Sequence, residues 1–275
     1  MLSFICNHFR KIVRRIDMIK YGVQLYSIKD VASKNLKEAL RIVAEQGYSC
    51  VEFAGFFNNS ADTVKSWLDE YGLTVSSTHT GLAALTPETI ADTVAYHKEI
   101  GCSYIVIPHA SWSTKEQLDS NIEAMNYAYT HLKNEGISLG FHNHSTELLK
   151  YPYGATPIDE IIERTKLDLQ PDVFFFSHTR RDPVEFCKKY SDRIKLIHLK
   201  DGRYPLDEMP DYTDPHRGIA TVVCGEGYVP IIDVAKWGIE NGKQLIVEVE
   251  CKYATGPEVT DGSIKYLRSV EEKII

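Results

Sequence analysis

The sequence predicts a single (β/α)8 barrel. Three observations carry that reading: short β-branched or aromatic runs alternate with longer helical patterns along the whole chain, eight such units fit within about 250 residues, and no glycine-rich phosphate loop follows the first strand. The strand candidates are Tyr21–Tyr26, Cys50–Phe53, Thr74–His79, Tyr104–Pro108, Ser138–His142, Leu167–Val173, Ile194–Leu199 and Gln244–Glu250. Thr86-Pro87-Glu88 marks one helix start, with Thr as cap and Pro in the first turn, and Ser113-x-x-Glu116 reads as a capping box at another. Gly47, Gly72, Gly101, Gly136 and Gly242 each stand one to three residues before a strand, where left-handed helix ends are expected. An open doubly wound sheet is disfavoured because Val23-Gln24-Leu25-Tyr26-Ser27 leads into no such phosphate loop.

No Pro- or Ser-rich linker and no repeat divides the chain, so residues 18–275 are read as one domain. Residues 1–17 precede Met18 and form an N-terminal extension, or reflect an upstream start codon. As a helix they would carry Ile5, Phe9, Ile12, Val13 and Ile16 on one face. The 275 residues are 43% hydrophobic and 25% charged, an ordinary globular composition. Lys and Arg number 31 against 38 Asp and Glu, and the resulting net charge of −7 disfavours a nucleic-acid partner. Six cysteines are scattered without a C-x-x-C pair, the pattern of reduced thiols, and the expected location is cytoplasmic. No apolar run approaches the roughly 20 residues that span a bilayer, so no membrane partner is expected.

In a barrel of this kind the active site lies where strands end and βα loops begin. Six of the eight strand candidates end in groups that titrate or bind metal: His79, His109, then His142, His144 and Glu147, then Asp172, His198, and finally Glu248 and Glu250. Closing the barrel brings these ends around one mouth, so chain-distant carboxylates and an imidazole can converge on one ion. Such an oxygen-rich site, with thiolates absent, suits Mn²⁺, Mg²⁺ or Zn²⁺. Strand parity supports it: His198 and Lys200 share a face, as do Glu248 and Glu250, while Leu199, Val247 and Val249 take the apolar side. Glu250 is read either as a substrate contact or as a salt-bridge partner.

Gly140-Phe-His-Asn-His-Ser-Thr-Glu147, Leu167-Asp-Leu-Gln-Pro-Asp172, Ile197-His-Leu-Lys-Asp201, Gly225-Glu-Gly227 and Ile246-Val-Glu248 together resemble the motif series of the sugar phosphate isomerase/epimerase group, the xylose isomerase-like TIM barrels. The resemblance runs from about Met18 to the C-terminus, includes the opening Gly22-Val-Gln-Leu-Tyr-Ser27 with Asp30 three residues on, and is nearest to inosose dehydratases and keto-sugar epimerases. It implies a divalent ion held by Glu147, Asp172, His198 and Glu248, and substrate contacts near His79, His109, His144, Lys200 and Glu226. One departure stands out: many relatives carry His or Trp three residues after the sixth-strand Asp, and this chain has Phe175. The stretch from Gly202 to Cys224, with Arg203, Tyr204, Asp214, His216 and Arg217, exceeds common loop lengths and is read as a lid or a solvated loop.

A divalent ion that chelates a carbonyl and its neighbouring hydroxyl stabilises the enediolate formed when the adjacent C–H proton leaves. Glu147 and Glu248 are the expected catalytic bases, taking a proton from one face and returning one to the other, with Lys200 stabilising the oxyanion or protonating a leaving group. Return of the proton with inversion is epimerisation, return to the neighbouring carbon is isomerisation, and loss of a β-hydroxyl is dehydration. The expected function is a metal-dependent isomerase or epimerase of a keto-sugar or polyol, with an inosose-like dehydratase as alternative. Arg180-Arg181 is the only candidate phosphate cluster, so an unphosphorylated small-molecule substrate is expected. Two readings from other classes are an endonuclease IV-like repair enzyme, faintly echoed by His79, His109 and Asp214-x-His216, and a catalytically silent sugar-binding barrel. Homo-oligomerisation is left open.

Overall fold

A computed structural model describes residues 19–275 apart from 251, so the proposed extension helix lies outside the described residues. Eight parallel strands form the barrel: β1 (Tyr21–Gln24), β2 (Cys50–Phe53), β3 (Thr74–His79), β4 (Tyr104–Ile107), β5 (Ser138–His142), β6 (Asp168–Gln170), β7 (Leu196–Leu199) and, after a hairpin of β8 (Asp201–Arg203) and β9 (Ala220–Val222), β10 (Gln244–Val247). Their order is β6-β5-β4-β3-β2-β1-β10-β7, which joins the first strand to the last. The remaining gap, between β6 and β7, is spanned by two isolated bridges, Leu169 to Ile194 and Asp172 to His198. The fold is the expected closed barrel.

Strand alternation splits the interior from the helix-covered outside. Tyr21, Val23, Val51, Phe53, Ile105, Ile107, Phe141, Ile197, Leu199, Leu245 and Val247 belong to the main apolar core under the helices. Their alternates include Gln24, Glu52, Ser77, Gln170 and His198, all buried. A small apolar cluster of Tyr104, Val106 and Leu196 stands apart from that core. Gly140 packs against it, and a Cβ there would sit 3.0 Å from the Tyr104 ring, which would have to shift. A register shift at Val51/Glu52 against β3 pairs Glu52 with Ser77, a one-residue bulge that sets the serine hydroxyl against the carboxylate.

The expected helix ends hold: Gly47, Gly72, Gly101, Gly136 and Gly242 all have positive φ. Two helix starts lie later than expected. Helix Ile90–Glu99 begins after Thr89, because residues 86–89 first make a turn in which the Thr89 and Ile90 N–H groups donate to the Thr86 carbonyl. Helix Lys115–Asn134 is capped by Thr114, whose hydroxyl accepts from Gln117 N–H, one residue beyond the Ser113-x-x-Glu116 register. No helix among the described residues is long and apolar enough to cross a membrane.

Candidate metal centre and active site

Four side chains from four strand ends meet at the barrel mouth. His142 ends β5, Asp172 follows β6, His198 lies in β7 and Glu248 follows β10; one ligand atom from each lies within 4.8 Å of every other, and all four residues are buried. The cluster includes the seam between β6 and β7, since Asp172 and His198 are themselves bridge partners. Both ring nitrogens of His142, Asp172 Oδ2, His198 Nδ1 and Glu248 Oε2 have no hydrogen-bond partner among the described residues. Buried polar atoms are rarely left so. His198 Nδ1 and Glu248 Oε2 face each other at 2.5 Å but outside hydrogen-bond geometry. Two nitrogens and two carboxylates with lone pairs turned inward match the donor chemistry of a divalent cation.

Charge in the cluster is tightly balanced. Burial pushes Asp172 up to about 7 against the pull of Lys200. Burial also opposes ionisation of Glu248, but the charges of Lys200 and His198 outweigh it and hold this carboxyl well below its usual range. His198 lies between two carboxylates, Glu52 at 2.6 Å and Glu248, and these override burial to raise it to about 10. Lys200, 1% exposed, approaches Glu248 at 3.1 Å, Glu250 at 3.0 Å and Asp172 at 3.7 Å. Burial disfavours its charge, yet these carboxylates raise its pKa, so it is a fixed cation. Glu250 thus takes the salt-bridge role, with Lys29 3.8 Å away as a second partner.

Glu147 is placed elsewhere. It is fully buried, but Oε1 accepts from Trp112 Nε1 at 2.7 Å, while Oε2 accepts from the His144 N–H at 2.7 Å and the Thr146 hydroxyl at 2.8 Å. Oε2 caps the short helix Ser145–Leu148 while Oε1 is taken by Trp112, and His142 stands in the cluster in its stead. Glu226 is also displaced: it is exposed and outside the cavity lining, its carbonyl accepting from Arg203. The turn that carries it is held by Asp201, whose carboxylate accepts from the N–H groups of Gly202, Gly225, Gly227 and Val229 at 2.8–3.1 Å. Asp201 therefore organises the loop rather than meeting substrate.

Above the cluster opens a cavity of about 720 Å³, within the range of small-molecule sites. His79, His109 and His144 line it, together with Lys200, Glu248 and Glu250. Burial, helped by Lys200, lowers His144 to about 3, so its ring is neutral. Phe175 also lines the cavity, its ring 4.9 Å from Lys200 Nζ and 5.0 Å from the His144 ring. The segment from Gly202 to Cys224 is pinned at its two ends by the β8–β9 pairing, with a long irregular connection between them, and its His216, Ile219, Ala220 and Thr221 wall the cavity. The Thr221 hydroxyl donates to the Glu250 carbonyl, pinning the hairpin to the rim.

Sequence reasoning missed two buried partners of the site, Glu52 and Trp112. The alternation Cys50-Val-Glu-Phe53 carries the same signal used for His198 and Lys200, a charged residue on the inward parity of an apolar strand. Trp112, in the loop after β4, gives no local signal.

A parallel eight-stranded barrel with a histidine–carboxylate cluster and a buried lysine at its C-terminal mouth is the architecture of a TIM-barrel enzyme. Within it, the chain belongs to the xylose isomerase-like TIM barrel family, whose model matches residues 40–270. It is 25% identical over 249 residues to an inosose dehydratase of Geobacillus kaustophilus, covering 78% of this chain and 79% of that one. Among solved structures it is similar to a sugar phosphate isomerase/epimerase from Parabacteroides distasonis, with TM-score 0.72 and 24% identity over 91% of this chain and 94% of that one. It also resembles the probable 3-DHS dehydratase AsbF involved in petrobactin synthesis from Bacillus anthracis, with TM-score 0.68 and 11% identity over 90% and 98%. The general kind of activity that accompanies this membership is that of a sugar isomerase, epimerase or dehydratase.

Proposed function

We propose that the protein is a divalent-metal-dependent enzyme that removes the proton next to the carbonyl of an unphosphorylated keto-polyol or keto-sugar and expels water, a dehydratase. One observation carries the metal part: the buried ligand atoms of His142, Asp172, His198 and Glu248 converge without hydrogen-bond partners. The set of two imidazoles and two carboxylates suits Zn²⁺ or Mn²⁺ better than Mg²⁺. When bound, the ion would polarise the substrate carbonyl and lower the cost of negative charge on its oxygen.

The chain's own groups divide the remaining work. Glu248, held ionised, is the base within reach of the cavity. Lys200, dry and permanently charged, is placed to stabilise developing negative charge. Phe175 and the hairpin residue Ile219 keep the wall apolar, which strengthens each of these interactions. Epimerisation by two matched carboxylates is disfavoured because Glu147, the expected second base, has one oxygen in its helix cap and the other on Trp112. The other carboxylate on the wall, Glu250, is paired with Lys200, and His79, His109 and His144 stand opposite as imidazoles, an unequal set better suited to taking a proton and assisting a leaving hydroxyl. The names of the curated relatives, both inosose dehydratases, support the same outcome.

The test is incubation of the metal-loaded protein with inosose and a panel of keto-sugars in D₂O, followed by NMR and mass spectrometry. Loss of one water, abolished by chelator, is the expected result. An inverted product carrying solvent deuterium, with no water lost, would establish epimerisation instead. Elemental analysis should find the metal sharply reduced in His142→Ala, Asp172→Asn and Glu248→Gln, and retained in Glu147→Gln.

A further inference from the structure

Beneath the four-residue cluster lies a fully buried carboxylate that the proposed chemistry does not use. Glu52 Oε1 meets Gln24 Nε2 at 2.7 Å, His198 Nε2 at 2.6 Å and His79 Nε2 at 3.1 Å. Its Oε2 accepts from Gln170 Nε2 at 2.6 Å and from the Ser77 hydroxyl. Every neighbour is a donor or can be one.

Two independent contacts fix which way the amides point. The Gln24 side-chain oxygen accepts from the Tyr26 N–H at 3.0 Å, so its NH₂ is the end turned to Glu52. Gln170 gives its NH₂ to Glu52, which leaves its oxygen facing His79 Nε2 at 2.9 Å, and that nitrogen must then carry hydrogen. A carboxylate oxygen 2.6 Å from His198 Nε2 makes the same demand there. With Nε2 committed as a donor in each ring, Nδ1 is the only ring nitrogen left to act as an acceptor, and a cation binding His198 would take the place of the proton there. In His198 that nitrogen is the atom that faces Glu248 Oε2 in the cluster.

We propose that Glu52 is a positioning residue that locks His198, and with it His79, as the Nε2–H tautomer, so that Nδ1 of His198 is presented to a divalent cation and Nδ1 of His79 to the cavity as an acceptor. The arrangement is a carboxylate–histidine–metal relay, in which the carboxylate orients the ring and raises its donor strength. The bulge that sets Ser77 against Glu52 completes the cradle. The inference rests on the metal reading above.

The experiment measures Zn²⁺ and Mn²⁺ affinity by competition with a chromogenic chelator in the wild type and Glu52→Gln, and records ¹⁵N spectra of histidine-labelled wild type loaded with Zn²⁺. The expected results are affinity about 10–100-fold weaker in the variant and an Nε2–H signal for His198. A wild type that binds neither ion sinks the metal reading itself. Tight binding by the wild type with equally tight binding by a folded Glu52→Gln overturns the positioning role alone. A merely structural Glu52 would lower the melting temperature without moving the chelator midpoint. Should the variant not fold, the wild-type spectrum still decides: an Nδ1–H tautomer at His198 in the loaded protein overturns the proposal.

Discussion

His142 stands in the cluster where the motif suggests Glu147, and the reason is local. Asn143-His-Ser-Thr-Glu147 places a carboxylate three residues after His144, a spacing that serves a helix cap as well as it serves a ligand set. The deciding partner, Trp112, comes from another loop and is invisible to motif reading. His142 ends its strand on the inward parity, so it was legible as a candidate but could not be ranked above Glu147. Glu147→Gln turns an amide NH₂ toward donors that now meet a carboxylate, and should cost about 1–3 kcal/mol in denaturant unfolding. A second residue-scale expectation concerns His97, buried between the Thr93 carbonyl at 2.6 Å and the Thr78 hydroxyl at 2.7 Å. Burial lowers its pKa, so the unfolded chain takes the proton first. Its contribution is therefore intact above about pH 6.5 and lost as pH falls below that value. Urea titrations at about pH 7 and about pH 5 should show a smaller acid loss in His97→Gln; an unchanged loss would place the effect elsewhere.

At the scale of elements, the strands were the legible part, because period-two alternation and glycine-terminated helices are local signals. Three of the eight, Cys50–Phe53, Thr74–His79 and Ser138–His142, match residue for residue. The hairpin was not legible, since β8 and β9 are three residues each and their pairing depends on a carboxylate, Asp201, that gathers backbone N–H groups from a turn more than 20 residues away. The same geometry explains Gly227: a Cβ there would collide with the Asp201 carboxylate and the Gly202 backbone. Gly227→Ala should therefore destabilise by about 1–3 kcal/mol, the cost of overpacking without a flexible neighbour to yield. Because the hairpin walls the cavity but supplies none of the four cluster residues, the variant should keep its metal while turnover falls, which elemental analysis and a steady-state assay would separate.

For the whole molecule, the apolar shell between strands and helices is an ordinary core, whereas the barrel interior is mostly polar from its midpoint to its mouth. That division was foreshadowed by His, Asp and Glu at strand ends, but the inner Gln24–Glu52–Gln170 layer emerges only once three strands are brought together. Binding to His142, Asp172, His198 and Glu248 would tie β5, β6, β7 and β10 into one unit. Added Zn²⁺ or Mn²⁺ should raise the melting temperature, by the equivalent of about 2.7 kcal/mol at a hundred times its dissociation constant. A melt indifferent to both ions would count against the metal centre.

The ring of strands is joined by a regular ladder where it might be expected to be loose. First and last strands share a regular ladder from Tyr21–Leu245 to Val23–Val247, while the consecutive pair β6 and β7 touches only at two bridges. The molecule therefore has a clasp between sequence neighbours, not at its chain ends. A circularly permuted chain with new termini between Thr179 and Asp182 would cut almost nothing of the sheet, and amides at the clasp should be the first of the barrel to exchange with solvent.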